Sequence, residues 1–269
     1  MKVAALQMVS GISLDANLSE ALRLLRQAAA AGAELAVLPE YFCFMGARDE
    51  DKLVIAETPG LGRVQDFLSD AARDLKLTIV GGTLPMATDD PTHAANASLA
   101  FDAKGHPISR YDKIHLFRYD NGRERYDEAA VLRAGDTPTS FELRDRDGQV
   151  WRIGQSVCYD LRFAELYRML GAEVLLVPAA FTHTTGSAHW EVLLRARAIE
   201  NQAYVIASAQ GGLHENGRRT WGHSMVIDPW GHVMALQAEG PGVVLADIDM
   251  ARLHQVREQL PSLQHRVLT

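Results

Sequence analysis

Short apolar, β-rich runs alternate with amphipathic helical stretches along most of this chain, and that alternation restricts the folds open to it. Val3 to Met8 reads as a buried strand. Leu18 to Ala31 places Leu18, Ala21, Leu22, Leu24, Leu25 and Ala28 on one helical face, with Asp15 or Asn17 as cap and Gly32 as stop. Glu34 to Pro39 is a second strand, Leu61 to Leu75 a second helix, and Leu77 to Val80 a third strand before Gly81-Gly82. Two hairpin signals interrupt the alternation. Ala95–Phe101 and His106–Tyr111 flank Asp102-Ala103-Lys104-Gly105, and Met225–Ile227 and His232–Leu236 flank Asp228-Pro229-Trp230-Gly231. Val174–Val177, Ala203–Ala209 and Val243–Ile248 add strands, and Trp190–Asn201 adds a helix. Hairpins mixed with βα units predict an α/β protein with a mixed sheet, or two sheets, covered by helices. No repeat, low-complexity stretch or linker divides the 269 residues, so 1–269 is expected to form a single domain.

Composition removes several classes of partner. The net charge is −7 and no basic stripe exists to neutralise phosphates, so nucleic acid is not expected. No apolar run approaches the ~20 residues of a membrane span, and no membrane partner is expected. Met1 to Met8 passes straight into a strand and is too short and too polar-flanked for a signal peptide. Cys43 and Cys158 are the only cysteines. They make no disulfide framework, and with dispersed histidines they give no zinc spacing. The expected setting is reducing and cytoplasmic.

Three residues carry chemistry in this pattern. Cys158 lies between the β-like Val150–Gly154 and the helical Phe163–Leu170, a strand-to-helix turn where helix N–H groups favour a thiolate. The alternative for a free cysteine is burial as a small hydrophobe. Glu40 follows the strand ending at Pro39 and is enclosed by Tyr41, Phe42 and Phe44, a setting that suits acid–base work. Its alternative is a surface carboxylate. Lys113, in Tyr111-Asp112-Lys113-Ile114-His115-Leu116, follows a hairpin strand and can face an oxyanion or a thiolate; alone it also reads as a snorkelling surface lysine.

Glu, Lys and Cys in this order, with these surroundings, resemble the nitrilase (carbon–nitrogen hydrolase) superfamily over nearly the whole chain. The motifs are Leu38-Pro39-Glu40, Tyr111 to Leu116, and Val157-Cys158-Tyr159-Asp160-Leu161-Arg162-Phe163. The resemblance implies a four-layer α-β-β-α sandwich with mixed sheets, and a homodimer paired through helices near the nucleophile. It implies Cys158 as nucleophile, Glu40 as general base and acid, and Lys113 with the Tyr159 N–H as oxyanion partners. Glu128 would be a second glutamate. No metal or organic cofactor is implied.

Phe181 to Glu200 and Trp221 to Gly231 look like the branch holding deaminated glutathione amidase and ω-amidase. The implied substrate is a small amide bearing a 2-oxoglutaramate group. Gln155, three residues before Cys158, departs from the small or apolar residue usual there. Arg162 can clamp a carboxylate bidentately, Thr184 and Thr185 can hydrogen-bond a keto acid or peptide group, and Phe181 and His183 can line the pocket. For the two threonines, ordinary loop and capping chemistry is the alternative. A thiol protease is disfavoured because no motif pairs a cysteine with a histidine. A binding protein that has lost activity is disfavoured because Glu40, Lys113 and Cys158 are all present.

Overall fold

The computed structural model describes residues 1–267. Two mixed sheets stack face to face, and each carries helices on its outer side. The first runs in the order Gly242–Asp247, Lys2–Gln7, Leu35–Val37, Thr78–Val80, Ala94–Phe101, Leu84–Ala87; Pro107–Asp112 and Leu132–Arg133 also pair with Ala94–Phe101. The second runs Ser140–Arg144, Val150–Gln155, Val174–Ala179, Tyr204–Ala209, Ser224–Ile227, Val233–Gln237. Both sheets have a parallel centre. Lys2–Gln7, Leu35–Val37 and Thr78–Val80 are parallel, as are Val150–Gln155, Val174–Ala179 and Tyr204–Ala209. Antiparallel strands flank each centre.

The layers follow from strand alternation. Val3, Ala5, Leu35 and Val37 point inward and meet Ile153, Val174, Leu176 and Ile206 of the other sheet. Ala4 and Leu6 point outward onto Leu18, Leu24 and Leu25 of the helix Leu14–Ala30, and Leu68 of the helix Arg63–Leu75 joins them. On the second sheet, Leu175, Val177, Val205 and Ala207 pack beneath Leu166 and Leu170 of Ala164–Leu170 and Trp190 and Leu194 of His183–Asn201. Burial on both faces makes these central strands continuous apolar runs. The expected α-β-β-α sandwich is what forms.

Several local expectations are corrected. The first helix begins at Leu14, and the hydroxyl of Ser13 caps it by accepting from the Ala16 N–H. Asn17 is occupied elsewhere: it accepts from the Gly11 N–H and donates to the Gly11 and Cys43 carbonyls. The helix expected at Trp190 starts at His183, so Thr184 and Thr185 lie in its first turn and not in a loop. Sequence reading also passed over the helix Met250–Gln259 and the small hairpins Arg118–Asp120/Arg125–Asp127 and Gly211–Leu213/Arg219–Trp221.

Candidate active site

The carboxyl ends of the parallel strands of both sheets open on one side, where α/β folds place their sites. Glu40 follows Leu35–Val37, and Lys113 follows Pro107–Asp112 directly. From the second sheet, Cys158 lies three residues beyond Val150–Gln155, and Ala180 directly follows Val174–Ala179. Glu128 opens a single 3-10 turn after Arg125–Asp127. The Glu40 loop is shaped by Gly82, which has φ +50° and would bring a Cβ within 1.9 Å of the Pro39 carbonyl oxygen. Only glycine fits there.

Cys158 begins the 3-10 helix Cys158–Arg162 with φ +50°, a left-handed conformation that a non-glycine residue holds only under constraint. Asp160 supplies that constraint. Fully buried, its carboxylate accepts from the Val157 N–H at 2.8 Å, the Tyr111 O–H at 2.7 Å, and the His115 N–H and Nδ1 at 3.1 and 2.7 Å. His115, which had no pairing with cysteine in the sequence, stacks on Phe163 and belongs to this support.

The charged groups interlock. Lys113 Nζ donates to Glu40 Oε1 at 2.9 Å and to Glu128 Oε1 and Oε2 at 3.0 and 2.8 Å. Glu128 also accepts from the Tyr41 O–H at 2.9 Å and the Phe117 N–H at 2.7 Å. Its four acceptor sites are therefore filled, and so are the three hydrogens of Lys113. Glu40 accepts three bonds: Lys113 and Asn96 Nδ2 on Oε1, both at 2.9 Å, and the Ala180 N–H on Oε2 at 2.8 Å. One acceptor site on Oε2 stays open, and the Cys158 thiol is the neighbouring donor.

Electrostatics follow this geometry. Burial raises the Cys158 thiol well above the ordinary range, and the Glu40 charge adds to it; Lys113 opposes both without cancelling them. The resting group is a thiol, which corrects the expectation of a thiolate favoured by helix N–H groups: desolvation outweighs a helix start of one 3-10 turn. Burial alone would raise Glu128, but the Lys113 charge and the hydrogen bonds from Lys113, Phe117 and Tyr41 together hold it below its usual value. Burial would depress Lys113, yet Glu128 and Glu40 carry it well above the ordinary lysine range. Cys43 is buried too, with its thiol pushed up by desolvation and no acid–base partner of this kind.

A narrow cavity meets the Cys158 side chain. Phe117, Tyr159, Ala180, Phe181, Thr182 and Thr185 complete its lining. Its volume is about 10 Å³, room for roughly one water. Of the residues expected to meet the substrate, Tyr159, Phe181 and Thr185 line this cavity, and Thr185 shares a hydroxyl contact of 2.8 Å with Thr182. Arg162 lies one layer out, its guanidinium 5.5 Å from the Phe181 ring centre and 5.9 Å from that of Tyr159, with His189 Nδ1 at 3.4 Å. Thr184 turns away and donates to Glu124 at 2.8 Å, and His183 packs edge-on to Trp221. Among the described residues no cluster of three or more His, Cys, Asp or Glu side chains is placed to hold a metal ion.

Sequence reasoning missed Asn96, the Ala180 N–H and the acceptor role of Asp160. Asn96 had a signal: it is the one amide in the otherwise small and apolar strand Ala94–Phe101, every residue of which is buried.

Comparison with known proteins gives the family and agrees with the fold. The sequence profile of the carbon–nitrogen hydrolase family matches residues 2–258. A deaminated glutathione amidase from Synechocystis sp. is 45% identical over 98% of this chain and 97% of its own. The Homo sapiens deaminated glutathione amidase is 40% identical over 98% of this chain and 81% of its own. Among solved structures, the C. elegans NitFhit protein aligns with a TM-score of 0.88 at 35% identity, covering 99% of this chain and 65% of that longer one. A Saccharomyces cerevisiae member of branch 10 of the nitrilase superfamily aligns at 0.85 and 29% identity, covering 97% and 94%.

Proposed function

The chain belongs to the carbon–nitrogen hydrolase family, and on that premise we propose that it hydrolyses the amide of deaminated glutathione to 2-oxoglutarate and cysteinylglycine. The observation that carries the substrate is the 45% identity, over nearly the full length of both chains, to a deaminated glutathione amidase. The interlocked Glu40, Lys113 and Cys158 support the chemistry.

Cys158 attacks the amide carbonyl as its thiol proton passes to Glu40, forming a carbon–sulfur bond and an oxyanion. The Tyr159 N–H, in the first turn of the 3-10 helix, faces that oxyanion. Lys113 reaches it by releasing one of its two contacts to Glu128. The adduct collapses as Glu40 returns the proton to the departing amine, leaving a thioester. Water then gives a proton to Glu40, attacks the thioester, and frees the acid and the thiol. Glu128, with its acceptor sites filled, holds Lys113 and takes no proton. Arg162 and Thr185 are proposed for the anionic and keto groups of the substrate, with Phe181 beside the acyl chain; Thr184, turned to Glu124, takes no part. A cavity this small has to widen, by turning Phe117 or Phe181, before the acyl chain enters.

The reading extends to the whole chain working as one domain that pairs with a second copy. Met169 and Val192, 69% and 68% exposed on the helices Ala164–Leu170 and His183–Asn201, support that pairing. No helix among the described residues is long and apolar enough to cross a membrane. Two free buried thiols suit the cytoplasm.

The test is a side-by-side assay of purified protein on deaminated glutathione and 2-oxoglutaramate, with Cys158→Ala as the inactive control. Preference for the larger amide is the expected result. Preference for the simple amide makes the protein an ω-amidase, and no hydrolysis of either overturns the substrate class.

A further inference from the structure

Asn96 is 1% exposed, and its amide sits in the middle of the charged cluster. Its Nδ2 donates to Glu40 Oε1 at 2.9 Å and to the Tyr41 hydroxyl at 3.3 Å, while its backbone carbonyl accepts from the Lys113 N–H at 3.0 Å. Its Oδ1 is buried without a hydrogen-bond partner. The reverse amide orientation would set Oδ1 against a carboxylate oxygen, acceptor against acceptor, so the donation to Glu40 dictates how the side chain sits. An orphaned buried acceptor is destabilising, and an apolar residue of similar shape would avoid it. The bond to the buried carboxylate and the orphaned acceptor are of comparable size and opposite sign, so stability alone gives little reason for an amide at this position.

Proton transfer gives one. Oε1 of Glu40 already holds two donors, Lys113 and Asn96, whereas Oε2 holds only the Ala180 N–H. Ala180 lines the same cavity as Cys158. We infer that Asn96 is a positioning residue for the base: by occupying Oε1 it fixes the carboxylate rotamer and leaves Oε2 as the oxygen that takes the Cys158 proton. Breaking the S–H bond forms O–H on Oε2 while Oε1 keeps both donors, so the carboxyl need not rotate between the two half-reactions. This rests on the proposed acyl-transfer mechanism but not on which amide is the substrate.

Asn96→Leu removes the donor, retains the volume and abolishes the orphan. Around Glu40 the other charged or titratable groups are Lys113, Glu128, Cys158 and Tyr41; the substitution leaves the first three their partners and takes from Tyr41 only the 3.3 Å contact, its own bond to Glu128 remaining. Loss of a donor leaves the charged carboxylate of Glu40 with two hydrogen bonds instead of three and so disfavours that form. The readout is the rate of Cys158 alkylation by iodoacetamide against pH, assigned by peptide mass spectrometry, together with kcat and KM on the best amide. The wild-type rate should climb through an acid limb to a plateau. In Asn96→Leu that limb should move up by roughly half a pH unit or more, kcat should fall about tenfold or more, KM should stay within about twofold, and the thermal midpoint should change little, since the lost hydrogen bond and the abolished orphan offset each other. If the leucine variant does not fold, Asn96→Asp, of the same shape, should move the limb further in the same direction. A wild-type profile without an acid limb, or a limb unmoved in the folded variant, overturns the inference. Alkylation needs no substrate, so a wild type inert toward deaminated glutathione would defeat the substrate reading and leave this test intact.

Discussion

Glu128 holds Lys113 through both carboxylate oxygens, at 3.0 and 2.8 Å, and leaves Glu40 a single contact with the same ammonium at 2.9 Å. The two glutamates are thereby given different work. Glu128, saturated with donors, is a fixed counter-charge, while Glu40 keeps an acceptor site for a moving proton. Both glutamates approach the same lysine, so the charge that stabilises one also steadies the other.

Removing the fixed counter-charge should therefore damage the fold and the chemistry together. Glu128→Gln leaves a fully buried ammonium with one carboxylate and turns an amide donor toward another donor. Breaking a buried pair in this way costs about 3 kcal/mol. The thermal midpoint should fall, and turnover should drop at least about tenfold. A denaturation curve and a kcat at neutral pH decide it, and a variant with unchanged kcat would remove Glu128 from the mechanism.

The direction of the Glu128 shift also sets an acid limit on stability. Its folded pKa is depressed below the usual 4.5, so the stability it contributes is full above that value and is lost as pH falls through the folded pKa. Lys113 is raised, so its contribution is full below about 10.5 and is lost only as pH rises through a still higher value. Both contributions are present through neutral pH. Urea titrations of wild type and Glu128→Gln should differ most near neutrality, and the difference should shrink progressively as pH falls below 4.5. A difference that does not shrink as the pH is lowered from neutrality until the protein unfolds contradicts the assignment.

That Glu40, Lys113 and Cys158 meet was legible because each follows a strand and stands in a motif of several residues: Leu38-Pro39-Glu40, Tyr111 to Leu116, Val157 to Phe163. What stayed hidden depends on contacts between distant segments. Asn96 looks like a blemish in an apolar strand until Glu40, 56 residues away, comes to it. The first turns of the helix His183–Asn201 were missed because Thr184, Thr185 and Gly186 are poor helix formers. Packing overrides that propensity, since a Cβ on Gly186 would lie 2.3 Å from the Trp221 side chain. Ser13, Asp15 and Asn17 all qualify as caps by residue type, and only the turn that draws Asn17 to Gly11 and Cys43 separates them.

Gly82→Ala should disable the site from outside it. The residue holds φ +50°, and its new methyl would meet the Pro39 carbonyl, one residue before Glu40. The backbone must give way, at a cost of about 2–4 kcal/mol, and Glu40 moves with it. The expected result is a lower thermal midpoint with kcat reduced more than KM. A variant that loses neither stability nor kcat would show that the loop tolerates the displacement.

Asp160 makes the last case, because it supports the proposed nucleophile Cys158 from the neighbouring residue Val157. Its carboxylate gathers four donors from two sheets: Val157 beside Cys158, and Tyr111 and His115 on either side of Lys113. Asp160→Asn removes the charge and points an N–H at groups that are themselves donors. The loss should be about 2–4 kcal/mol, against about 1–2 kcal/mol for Tyr111→Phe, which deletes one of the four donors to Asp160 and the long contact from the Ile114 N–H. Turnover should fall in the same order, because the left-handed backbone at Cys158 depends on the Val157 contact. Paired denaturation curves and kcat values for the two variants test this ranking. If Tyr111→Phe is the more damaging, the elbow is held by the tyrosine ring in the core and not by the buried carboxylate.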